Sequence, residues 1–467
     1  MKIKRFILFV FLIKINFYAW AASEYFEKGS DVINVSEAQL TSDYWIDLNQ
    51  KQLNGQSTLI GHDKINEFNQ QVMNGGVHVI DPLHMNGTLN KAELIKLINK
   101  ISSVPKGARF YDDGRKLGEN EFKAYRDNLN ISGVFVNNKV KWGLVVKRSS
   151  LRTFPTKDRV YNKGMDKDLD RFQETAVFPG ESVAVLHESK DKQWYLVRAY
   201  NYLAWVSQKD IAVGNKETIN NFIQSKHFLV VTGSKVFTTF VPNKPEISQV
   251  QLDMGVKLPL INNEEHVGNL YGQNPYTSHI VQFPVRNKQG ELVFLPAMIA
   301  KSEDTNIGYL AFTKQNIINQ AFKFLGERYG WGHDYNARDC TGFVGEIYKS
   351  FGLLMPRNSG QQGRAIYGKN VHFTSQSNKQ DKLAAISQLE VGDLLYIPGH
   401  VVMYIGTYNN QPYIIHDVKG LSYYLENKQF YKGTLNGVSV TPLLPLQLSK
   451  TKSYIDTLYN IKKIRLN

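Results

Sequence analysis

The sequence predicts an α+β multidomain chain: a helical N-terminal region, two small β-barrels and a C-terminal α+β domain. Three observations lead there. Apolar residues recur at helical spacing in the first quarter of the chain. Short alternating runs between turn residues fill the middle. After Thr313 a helical stripe, a helix around the only cysteine, and then a run of strands follow. At 467 residues the chain exceeds one ordinary core, so two to four domains are expected.

Residues 1–21 read as an export signal. Lys2, Lys4 and Arg5 precede an apolar run from Phe6 to Trp20, and Ala19-Trp20-Ala21 offers a small-x-small cleavage site. Lys14 interrupts the run, which argues against a permanent membrane span. With no cysteine near the cut, a lipid-modified start is not expected. An exported protein of the periplasm or the extracellular envelope is therefore predicted, and a monomer. The formal charge is +14, from 56 basic and 42 acidic residues. Cleavage would leave about +10, a balance that favours an anionic wall surface. Zinc-finger spacing, helix-turn-helix signatures and dense Lys/Arg runs are missing, so no nucleic acid partner is expected. One cysteine cannot close an intramolecular disulfide, and in an oxidising compartment a lone thiol is expected to be buried or used.

Residues 22–132 form the helical N-terminal region. Its two helical patterns are "HDKINEFNQQVM" and "NKAELIKLINKIS", the second with a stripe of Leu94, Leu97, Ile98 and Ile101. Residues 133–214 form the first barrel, from strands in "KWGLVVKRSSLRTFPT", "ESVAVLHES", "QWYLVRAY" and "YLAWVSQKDI". Trp194 and Trp205 are expected in its core. Residues 215–313 repeat the texture more loosely in "HFLVVTGSKVFTTF", "HIVQFPVRN", "ELVFLPAMIA" and "IGYLAFT", and a second small barrel is expected. Residues 314–467 form the last domain. It opens with the helix "KQNIINQAFKFLGERYG" and closes with strand material around "YIDTLYNIKKIRL".

Cys340 lies at the start of a helix whose apolar face is Phe343, Val344, Ile347, Tyr348 and Phe351. Unpaired N–H groups and the helix dipole are expected to lower its pKa. A nucleophilic thiol also needs a base, itself oriented by a third polar group. His400 opens the strand "HVVMYIG" and His416 closes "PYIIHD", on two strands joined by the turn "YNNQ". If Tyr408 pairs with Gln411, a regular ladder places the two imidazoles on opposite faces. A bulge near the turn is therefore predicted, because it restores one face.

These residues resemble a family. "YGWGHDYNARDCTGF", "MPRNSGQQ", "VGDLLYIPGHVVMYIG" and "IIHD" are similar, in order, to the blocks of NlpC-type, papain-like cell-wall cysteine peptidases. His333 stands where a second glycine is usual, and is expected to alter the cleft rim; Thr341 stands where serine is usual. The resemblance implies Cys340 as nucleophile, His400 as general base and His416 as the residue orienting it. It implies Tyr329 as an oxyanion donor beside the Cys340 N–H. Asp339 and Ser359 match positions that bind the free amine of an N-terminal L-Ala, and Asp339 is also a good helix cap. Arg357 is expected to brace the fold by pairing with a carboxylate. "KQWYLVRAYNYLAWVSQKDIA" resembles bacterial SH3-type barrels, and the whole order resembles a multidomain subgroup with two such barrels, the first narrowing the cleft. The loop "DKDLDRFQETAV" is then the segment expected to reach the cleft. Asp170 or Glu174 would supply a carboxylate for the amine, and Tyr202 would line the pocket.

The implied activity is hydrolysis of the γ-D-glutamyl–diamino acid bond in peptidoglycan stem peptides or muropeptide fragments, with no metal or cofactor. Two other readings remain open: a non-catalytic wall-binding protein, and a related thiol amidase or acyltransferase.

Overall fold

The computed structural model describes residues 30–53, 57–76, 78–262 and 268–466. The predicted signal, residues 1–21, lies outside them. Among the described residues, four α-helices stand before residue 130: Ser42–Leu53, Ile65–Asn74, Lys91–Ile101 and Glu119–Asn128. The second and third are the two expected ones. The third starts at Asn90, whose side chain accepts from Glu93 N while Glu93 caps Asn90 in return, and it buries Leu94 and Ile98. The other two carry weak apolar stripes and escaped the periodicity reading.

The first barrel is a seven-stranded antiparallel sheet. Its strands run in the order Ile211–Gly214, Lys141–Val145, Ser182–Glu188, Trp194–Arg198, Leu203–Ser207, Ser149–Arg152, Gln173–Val177. One face gathers Leu151, Val177, Val183, Val197, Val206 and Ile211. Trp194 and Trp205 are buried, but in a different cluster, against Leu94, Ile98 and Phe122 of the N-terminal helices. Trp205 Nε1 donates to Ser102 Oγ at 2.9 Å. Strand alternation sends these indoles to the outer face, and the N-terminal helices cover it.

Residues 215–313 begin with the helix Lys216–Ile223 and continue as small sheets. Phe228–Val231 pairs with Lys257–Pro259 and Thr305–Ile307, Lys235–Phe237 with Gln251–Asp253, and Ser278–Arg286 with Leu292–Ala300. All pack on one cluster that includes Ile219, Leu229, Leu252, Val281, Phe283 and Ile299. The run "IGYLAFT" is strand only up to Ile307; beyond it the chain crosses to the next domain.

The last domain sets helices Lys314–Phe322 and Cys340–Lys349 on a six-stranded sheet. The order is Lys369–His372, Asn460–Lys463, Leu394–Ile397, His400–Tyr408, Gln411–Tyr424, Phe430–Pro442. Its core joins Phe343, Val344, Ile347, Met403, Ile405 and Ile415 to Trp45 and Phe68 of the N-terminal helices. The closing segment differs from expectation. Tyr454–Thr457 is one helical turn, capped by Ser453, and only Asn460–Lys463 is strand.

Candidate active site

Asp339 caps the helix that carries Cys340. Its Oδ1 accepts from Gly342 N at 2.9 Å and Thr341 Oγ1 at 3.0 Å; Oδ2 accepts from Arg357 Nη2 at 2.7 Å and Gly332 N at 3.0 Å. Burial alone would raise this carboxyl, but Arg357 outweighs it and holds Asp339 below the usual carboxylate range. Capping is thus its main employment, and Arg357 braces the fold as expected, also donating to Thr175 Oγ1 at 2.6 Å in the first barrel.

The hairpin places the histidines. Tyr408 pairs with Gln411, and the register shifts between Tyr404 and Gly406, so Met403 faces Ile415 instead of His416. The predicted bulge is therefore present, at Ile405. It returns both imidazoles to one face: His400 Nε2 and His416 Nδ1 are 3.0 Å apart, and His416 Nε2 lies 3.0 Å from Thr441 Oγ1. With Nε2 so engaged, Nδ1 is the His400 nitrogen left for the thiol. The backbone N–H of Val401, next to His400, stands near enough to the Cys340 sulfur to favour its thiolate. Tyr454 completes the group, its ring edge-on to His400 at 6.2 Å and His416 at 6.5 Å. Thr441 and Tyr454 were not found from sequence: one belongs to a neighbouring strand whose register was unread, the other to a turn read as strand.

Burial, not the helix end, sets the resting protonation. Cys340 is 7% exposed. Desolvation first, then the Asp339 charge, push its thiol up to about 12. A helix N-terminus contributes about 0.3–1 kcal/mol, less than one pKa unit, and cannot offset that. The expected lowered pKa is thus corrected. Desolvation also lowers His400 to about 4, against the Asp339 charge, and holds His416 well below its ordinary value. The centre rests as neutral thiol and neutral imidazole. Tyr329, 8% exposed, feels the charges of Asp339 and Cys340, and burial keeps its phenol protonated, hence a donor.

The barrel reaches this cleft through the expected loop. Gln173 Nε2 donates to Gly332 O at 2.7 Å, and Asp168 pairs with Arg328 at 2.6 Å and Lys419 at 3.2 Å. Gly332 has φ +58°, and a Cβ there would stand 2.9 Å from Glu174 O, so only glycine admits the barrel backbone so closely. Tyr202 donates its hydroxyl to Glu174 Oε2, and Thr153 Oγ1 donates to Oε1 at 2.5 Å. The phenol of Tyr202 also meets Arg357 and the Asn358 side chain, beside Ser359. The structure thus brings Glu174 and Tyr202 to Arg357, the partner of Asp339, whereas Ser359 opens the helix Ser359–Arg364 and its carbonyl accepts from Tyr459 at 3.4 Å. Asp170 is different: it is fully buried, paired with Arg152 at 2.6 Å, and accepts from Val160 N and Phe172 N. It holds the loop's shape.

His333 is not at the rim. It is 4% exposed, with Nε2 at 3.0 Å from Glu346 Oε1 and Nδ1 at 3.3 Å from both Arg357 Nη2 and Thr175 Oγ1. Because Arg357 can only donate, Nδ1 accepts and Nε2–H donates to Glu346.

Residues 326–440 match the NlpC/P60 family, and residues 159–207 match the SH3 domain of SH3b1 type. A dipeptidyl-peptidase 6 from Lysinibacillus sphaericus is 23% identical over 230 residues, covering 49% of this chain and 74% of that one. A gamma-D-glutamyl-L-lysine dipeptidyl-peptidase from Bacillus cereus (strain ATCC 10987 / NRS 248) is 26% identical over 261 residues, covering 50% of this chain and 66% of that one. In fold, the chain is similar to a solved NlpC/P60 endopeptidase from Photobacterium damselae subsp. piscicida. That match has a TM-score of 0.72 at 20% identity and covers 91% of this chain and 97% of the other. Motif order, the histidine pair and these matches agree: residues 326–440 form a cysteine peptidase domain of the NlpC/P60 type, with an SH3-type module ahead of it.

Proposed function

We propose that this protein is an exported peptidoglycan hydrolase that cuts the γ-D-glutamyl–diamino acid bond of stem peptides bearing a free N-terminal L-Ala. One observation supports the reading: Tyr202 and Glu174 of the first barrel share a hydrogen bond, and the Tyr202 phenol feels the charge of Arg357, which holds Asp339 next to Cys340. A carboxylate there suits an ammonium group, and a barrel-walled cleft suits short fragments better than intact wall. The name of the Bacillus cereus relative supports the same bond, and that of the Lysinibacillus sphaericus relative, a dipeptidyl-peptidase, is consistent with a dipeptide product. Residues 215–313 are read as a second SH3-type barrel, the partner surface as anionic cell wall, the compartment as periplasm or cell envelope, and the protein as a monomer.

In the reaction, the Cys340 sulfur bonds the γ-carbonyl carbon as its proton passes to His400 Nδ1. The oxyanion is met by the Cys340 N–H, at a helix start where such groups lack helical partners, and by Tyr329. His400 returns the proton as the C–N bond breaks and the amine leaves. Water, deprotonated by His400, then resolves the thioester. His416 and Thr441 hold the imidazole in one orientation.

The test compares L-Ala-γ-D-Glu-L-Lys with its N-acetylated form. The free amine is expected to be cleaved at least about tenfold better in kcat/KM, one ion pair's worth of about 1.4 kcal/mol. Glu174→Gln is expected to remove most of that preference. Equal rates on both peptides, or release of whole stem peptides from glycan, would overturn the proposal, the latter in favour of an amidase.

A further inference from the structure

Strand Gln411–Tyr424 sends alternate side chains to opposite faces. His416 meets His400 and Thr441 on one. Asp417 falls on the other, with Ile415, on the face that packs against helix Cys340–Lys349. Asp417 is 0% exposed, and neither of its carboxyl oxygens has a hydrogen-bond partner among the described residues.

The charges around it are already matched. Arg357 holds Asp339. Arg338 is shared by Glu327, Glu346 and Asp253, with Lys235 also on Glu327 and Arg148 also on Asp253. Three cations face three carboxylates, and none is left for Asp417. The helix start presents Asp339 and Cys340 to it, and the preceding segment presents Glu327, Tyr329 and Arg338. The flanking strands offer the apolar Met403, Val438 and Val440. A buried carboxyl without cation or donor keeps its proton. Burial first, then Asp339 and Glu327, raise Asp417 well above the usual carboxylate range, against Arg338.

We propose that Asp417 is a positioning residue acting through Cys340: with its proton on, it leaves the thiolate unopposed, and on losing that proton to solvent it sets a second negative charge behind the sulfur and turns the nucleophile down. The coupling is reciprocal, so a thiolate at Cys340 holds the proton on Asp417. This rests on Cys340 being the nucleophile of the proposed reaction, but its test needs no substrate and stands apart from cleavage specificity.

The experiment alkylates Cys340 in the full chain with iodoacetamide from pH 5 to pH 10, for wild type, Asp417→Asn and Asp417→Ser, with thermal unfolding of each as a check of fold. Where Asp417 is ionised it raises the thiol pKa, so the variants react faster at pH 8–9, by about tenfold for one pKa unit. Toward pH 5 the curves converge. Superimposable curves would overturn the proposal. So would an advantage constant across pH, which reports only an exposed thiol. Failure of both variants to fold would make Asp417 structural and overturn it equally.

Discussion

His400 and His416 differ in role although they share one hydrogen bond. In the proposed reaction His400 transfers the proton, and His416, bound to Thr441, fixes the ring that does so. Removing the first abolishes proton transfer, whereas removing the second only loosens its donor. His400→Ala is therefore expected to lower kcat more than His416→Ala, with both variants retaining substrate binding in KM. Since burial holds His400 at about 4, the base stays neutral well below an ordinary imidazole, and the acid limb of kcat/KM is expected nearer pH 4 than pH 6.5. Titration of kcat/KM in the free enzyme checks this; a limb at pH 6.5 contradicts it. At this scale the sequence was informative where a residue carries its context with it. Cys340 follows a capping Asp, and each histidine ends or opens an apolar strand. Thr441 and Tyr454 were illegible because ordinary threonines and tyrosines become partners only through the register of neighbouring segments.

Among elements, the hairpin bulge is the feature on which the histidine pair depends. A regular ladder would split the two rings between faces, so the parity of the strands alone foretold the irregularity. What holds it was not foretold. Asn49, on helix Ser42–Leu53, donates its Nδ2 to Ile405 O at 2.9 Å, the carbonyl at the bulge, and to Trp45 O at 2.6 Å. These groups are 356 residues apart in sequence, and no local pattern links them. Asn49→Ala leaves that buried carbonyl unpaired, at a cost of about 1–3 kcal/mol. It is expected to lower kcat more than it changes KM, because it relaxes the register that aligns His400 with His416. Denaturant unfolding and steady-state kinetics on one preparation check both effects; a destabilised variant with full kcat would remove the N-terminal helix from the account of catalysis.

Across the whole molecule, one guanidinium binds two modules. Arg338, 0% exposed, pairs with Glu327 and Glu346 of the catalytic domain and with Asp253 of the middle module, which also pairs with Arg148 of the first barrel. Breaking a buried pair on one side leaves uncompensated charge, so Arg338→Ala is expected to cost about 3–5 kcal/mol and to open the inter-module boundaries to limited proteolysis. The order of modules was legible because hydrophobic period changes at each boundary. Their docking was not, since a charged residue in sequence looks the same whether solvated or buried. The tryptophans make the same point: Trp194 and Trp205 were rightly read as buried, but the surface that buries them is the N-terminal helical region. The most direct measurement of the central claim is mass spectrometry of L-Ala-γ-D-Glu-L-Lys incubated with wild type and with Cys340→Ala. Wild type is expected to give L-Ala-D-Glu and free lysine, and the variant to leave the tripeptide intact. Products from the variant, or any other bond cut by wild type, would contradict the claim.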